Sequence, residues 1–134
     1  MKKSIVTLFA FMVLVITGFN GKAQTPKTTV AISIIEVIQF HSSHRCMTCL
    51  KIEKLTRATL ANSFKTLPFR LLNVEEKKNE KVAEQFQATG TALFLFNSKT
   101  GKKKDLTEFA FMKAGDEKVF EVELKKQIED FIKS

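Results

Sequence analysis

Cys46 and Cys49, the only two cysteines of the 134-residue chain, stand two residues apart in HSSHRCMTCL (41–50), with His41, His44 and Arg45 just ahead of them. Thiols at this spacing support dithiol–disulfide exchange, in which one thiolate attacks a partner disulfide and the other resolves the mixed disulfide. They also support capture of a soft metal or metalloid such as zinc, Cu(I) or arsenite, with His41, His44, Cys46 and Cys49 as candidate ligands. One tight segment seldom surrounds a tetrahedral ion, however, and structural zinc sites usually draw on two segments. A purely structural bond is disfavoured too, because so small a loop removes little entropy from the unfolded chain. A third use of the same scaffold is a non-catalytic interaction domain.

Exchange chemistry needs a thiolate, and a helix N-terminus favours one through its unpaired N–H groups and partial positive charge. The sequence supplies such a helix. Val30–Phe40 (VAISIIEVIQF) is an apolar run that reads as a buried strand, and Cys49–Phe64 follows it with helical spacing, Ile52 with Leu55 and Leu60 with Phe64. In this frame Cys46 is the nucleophile and Cys49 the resolving thiol, while His44 and Arg45 add positive charge that lowers the Cys46 pKa. No cofactor is required.

Further along, Phe69–Val74 reads as a second strand and EEKKNEK as the solvated lead into a helix with Val82 and Phe86, closed by Gly90. Thr91–Phe96 is a third strand. Asn97–Lys103 turns into a fourth over Asp105–Phe109, a hairpin whose basic tip, KTGKKK (99–104), discourages edge-to-edge association. Asp116 caps a last helix bearing Phe120, Leu124, Ile128 and Phe131 on one face. The thirteen phenylalanines, Phe109 and Phe111 among them, are expected in the core of a chain that has neither Trp nor Tyr.

The N-terminus, MKKSIVTLFAFMVLVITGFNGKAQT, joins Lys2 and Lys3 to an apolar run too short for the ~20 residues of a membrane span. Small residues follow at Gly21 and Ala23. This is a secretory signal over 1–23, which makes 24–134 one exported, periplasmic domain without a membrane span. The signal holds three of the 22 basic residues, so the mature 111 residues carry 19 basic and 14 acidic side chains, a net of +5. With scattered basic residues and no Tyr or Trp to stack on bases, nucleic acid is not an expected partner. A monomer that meets a protein dithiol or disulfide is.

The order strand, helix, strand, helix, strand, strand, helix, with Cys-x-x-Cys where the first strand hands over to the first helix, resembles the thioredoxin fold over roughly residues 33–132. More narrowly, FHSSHRCMTC, NVEE, LFLF and DLTEFAF are similar to stretches of the thioredoxin-like "nitrophenyl compound nitroreductase subunit" (ArsF) family of Bacteroidetes. The resemblance implies an α/β fold, a central mixed sheet of about four strands flanked by three helices, and a nitroreductase-like or arsenic-handling partner. It also implies a substrate loop at Thr91 and Ala92, where Ala92 takes the place of the cis-proline that grips substrate and keeps metals off the cysteines. Without proline a trans peptide is expected there. Gln39 falls near the buried acid of thioredoxins, and Met47-Thr48 replaces their Gly-Pro pair.

Overall fold

Seven residues, IEVIQFH, form a strand with apolar side chains on both faces, because both faces are covered. The computed structural model describes residues 34–134; the signal expected over 1–23 and the beginning of the strand expected from Val30 lie outside them. The elements are β1 (Ile35–His41), α1 (Met47–Ser63), β2 (Phe69–Asn73), a 3₁₀ turn (Lys77–Asn79), α2 (Glu80–Phe86), β3 (Ala92–Asn97), β4 (Lys103–Asp105), α3 (Thr107–Lys113) and α4 (Glu117–Lys133). The sheet order is β2-β1-β3-β4. β1 runs parallel to β2 and antiparallel to β3, and β4 extends the other edge antiparallel to β3.

Alternation along the central strands sends side chains to two separate cores. Ile35 and Val37 join Leu93 and Leu95 against Ile52 and Leu55 of α1 and Phe120, Leu124 and Ile128 of α4. On the opposite face Ile38, Phe40 and Phe94 pack with Ala83 and Phe86 of α2. The aromatic rings there meet tilted or edge to face, Phe86 to Phe94 at 5.1 Å between centroids, the arrangement favoured by ring quadrupoles. The α4 stripe Phe120, Leu124, Ile128 and Phe131 is buried throughout, and Asp116 caps the helix by accepting from the Val119 N–H at 3.0 Å.

Three expectations are corrected. The fourth strand is three residues, Lys103–Asp105, and DLTEFAF turns helical instead of continuing the hairpin, so four helices flank the sheet and not three. Asp105 Oδ1 accepts from the Thr107 N–H at 2.8 Å and opens α3, while Leu106 and Ala110, four apart, are buried together on the first core. The end of α2 is made by Gln87 in the left-handed conformation (φ 54°) and not by Gly90, which lies three residues further on. Phe109 does pack on Phe120, at 5.2 Å between centroids, but Phe111 is exposed at the surface. Among the described residues no helix is long and apolar enough to cross a membrane.

Candidate redox site

The chain leaves β1 at His41, and a short turn carries it into α1. That turn is tied down at several points: the Val74 N–H donates to His41 O at 2.9 Å, Asn73 Nδ2 donates to Ser43 Oγ at 3.0 Å, and Ser42 Oγ donates to His44 O at 2.9 Å. Cys46 then adopts an extended backbone (φ −75°, ψ 159°) as the N-cap of α1. Its Sγ accepts from the Cys49 N–H at 3.1 Å, and its carbonyl accepts from the Leu50 N–H at 3.1 Å. Cys46 and Cys49 are joined as a disulfide, with Cα atoms 5.1 Å apart. Cys46 is exposed, whereas Cys49 retains only 5 % of its accessible surface. One cysteine is open to solvent and the other is shielded, the asymmetry that an attacking and a resolving thiol require.

No acidic side chain occupies the first turn of α1, so nothing there opposes a thiolate at the cap. His44 is exposed in the turn. Arg45 makes an ion pair of 2.7 Å between its Nη1 and Glu53 Oε2, and Arg57 Nε donates to the other oxygen of Glu53 at 2.8 Å. Partial burial pushes the Glu53 carboxyl up, but the hydrogen bonds and charges of Arg57 and Arg45 outweigh it and hold the group below the usual carboxylate range. The positive charge expected beside Cys46 is therefore partly compensated one helical turn beyond Cys49. Beneath the motif, Gln39 is wholly buried; its Nε2 donates to Cys49 O at 3.1 Å, and its Oε1 has no hydrogen-bond partner among the described residues.

The four candidate metal ligands are not gathered. His41 Nδ1 lies 2.9 Å from Ser42 O, as a donor to that carbonyl, and among the described residues no three His, Cys, Asp or Glu side chains come close enough together to hold an ion. Thr91 and Ala92 stand at the start of β3, with Ala92 opposite Phe40 and packed on the second core. They border a groove shared with Gly90, Phe94, Lys103 and Thr107, and neither cysteine lines it. The peptide bond preceding Ala92 is trans.

A different groove, of about 500 Å³, begins at the motif. Met47, Leu50 and Lys54 of α1 form one wall, and Phe111, Ala114 and Gly115 around the junction of α3 and α4 form the other. Met47, directly after Cys46, is 82 % exposed. Glu53 is the contributor that sequence reasoning did not single out; Gln39 was placed by the resemblance, and Phe111, expected in the core, lines the groove instead. The Glu53–Arg57 pair was visible as an i,i+4 spacing; the reach of Arg45 across the turn and the exposure of Phe111 had no local signal.

No protein-family model matches this chain, and no curated protein matches it.

Proposed function

We propose that the chain is an exported, periplasmic thiol–disulfide oxidoreductase of thioredoxin-like architecture, with Cys46 as nucleophile and Cys49 as resolving thiol. The observation that carries the reading is the exposed Cys46 at the cap of α1, its Sγ bonded to a buried Cys49 whose backbone N–H donates to it. The strand order β2-β1-β3-β4, with its parallel first pair and antiparallel second and third, supports the architecture.

In the reducing direction, the Cys46 thiolate attacks one sulfur of a partner disulfide. A mixed disulfide forms and the partner's other sulfur leaves as a thiolate, which takes a proton. Cys49, deprotonated, then attacks Cys46 Sγ; the mixed disulfide breaks, the Cys46–Cys49 bond forms, and the partner holds two thiols and two additional electrons. The oxidising direction is the exact reverse. The Cys49 N–H helps in both, because it donates to Cys46 Sγ and a thiolate accepts more strongly than a disulfide sulfur. Following the family resemblance, the partner belongs to a nitroreductase-like or arsenic-handling system.

The test is trapping. Cys49→Ser leaves an attacking thiol with no resolving one, so envelopes of cells expressing it yield disulfide-linked adducts that disappear on reduction, whereas Cys46→Ser yields few. Absence of adducts from both variants, together with alkylation midpoints at the ~8.5 of a free thiol, overturns the reading in favour of a non-catalytic interaction domain.

A further inference from the structure

The ion pair beside the cysteines has a division of labour that exchange chemistry by itself does not need. Glu53 divides its two oxygens: Oε2 holds Arg45 at 2.7 Å and Oε1 holds Arg57 at 2.8 Å. The rest of the Arg45 guanidinium, Nε and Nη2, is buried without a hydrogen-bond partner among the described residues. Its polar tether is thus the contact with Glu53. Arg45 is the residue directly before the nucleophile, and Glu53 follows Cys49 by one helical turn.

We propose that Glu53 is a positioning residue that sets the reactivity of Cys46 through Arg45: by holding the guanidinium and offsetting its charge, it fixes how much positive potential the Cys46 thiolate feels. This rests on the exchange reading. Other charged groups around the helix start are poorly placed for the role. His44 is exposed, Lys51 is engaged by Glu117 of α4 at 3.8 Å, and Lys54 is exposed on the groove wall. Arg57 is half-exposed and sits a further turn along α1. A pair of opposite charges next to a thiolate acts as a brake: with Glu53 ionised, Cys46 is less acidic and the reduced form less favoured than Arg45 alone would make them.

The experiment uses the mature chain carrying Cys49→Ser, so that Cys46 is the one thiol, and follows iodoacetamide alkylation against pH. Glu53→Gln keeps an acceptor oxygen for Arg45 and removes only the charge. The expected result is a Cys46 midpoint lower by at least ~0.5 pH unit, and in the two-cysteine protein a disulfide potential that becomes less negative. In an Arg45→Met background the same substitution shifts the midpoint by less than ~0.2, and Arg57→Met, which breaks the other ion pair on the same carboxylate, also leaves it within ~0.2. An equal shift with and without Arg45, or no shift at all, overturns the proposal. Should Glu53→Gln not fold, Arg45→Met decides with the opposite sign, a midpoint raised by ~0.5 supporting the proposal and an unchanged one overturning it. Exchange itself is read separately, from attack of the parent Cys49→Ser protein on a small aromatic disulfide: no attack defeats the exchange reading whatever Glu53 does.

Discussion

Cys46 does two things with one sulfur. It forms the disulfide, and its Sγ accepts the Cys49 N–H in the position that Ser or Thr usually fills at an N-cap. Serine in its place retains the cap and loses the chemistry, while alanine loses both. Cys46→Ala should therefore be less stable than Cys46→Ser by about 0.5–2 kcal/mol in urea unfolding under reducing conditions; equal stabilities would show that the sulfur does not cap. Glu53 yields a pH-dependent expectation. Its folded carboxyl lies below the ordinary value of 4.5, so its contribution is fully present above that value and is lost as pH falls through the lower folded one. Wild type should exceed Glu53→Gln in stability near neutrality, and the gap should close as the solution is acidified below 4.5; a gap unchanged by acid contradicts this. At this scale the pair Cys46–Cys49 was legible from spacing, and Gln39 from the resemblance to thioredoxins. The Arg45–Glu53 contact was not, because it depends on the path of a turn held by Asn73, the last residue of β2, and by Val74 just after it.

Among the elements, α4 was the easiest to read and α3 the hardest, for the same physical reason. In α4 a cap at Asp116 and a stripe at 120, 124, 128 and 131 agree on a helix and on its buried face. DLTEFAF has the aromatic and β-branched residues of a strand, and what turns it helical is tertiary: Leu106 and Ala110 fill the first core, and Phe109 rests on Phe120. Likewise the end of α2 was sought at a glycine, but Gln87 takes the left-handed position and its N–H satisfies the carbonyls of Ala83 and Glu84. Because α4 supplies the core against which α1 rests, Leu124→Ala, at a fully buried site, should cost about 2–5 kcal/mol by urea unfolding. A loss under about 1 kcal/mol would mean that the α1–α4 core is not what supports the fold.

Taken as a whole, the molecule builds its two packed cores apart from its disulfide bond. Neither of the two cores that clasp the sheet counts Cys46 or Cys49 among its members, and the disulfide closes a loop too short to restrict the unfolded chain much. Reduction should lower the melting temperature only slightly; a chain that unfolds at room temperature on reduction would reveal a structural bond. The groove that starts at Met47 runs beside the site and has Phe111 in its far wall, so Phe111→Ser should weaken adduct formation by Cys49→Ser protein without changing its rate with a small aromatic disulfide. The position of β1 has one more consequence, in time and not in space. Its parallel neighbour begins at Phe69, but its antiparallel neighbour arrives only with Ala92–Asn97. A chain emerging from its N-terminus therefore presents both cysteines to its surroundings before the strand that covers the other side of β1 has been delivered, so the thiols are exposed to solution chemistry ahead of the finished surface.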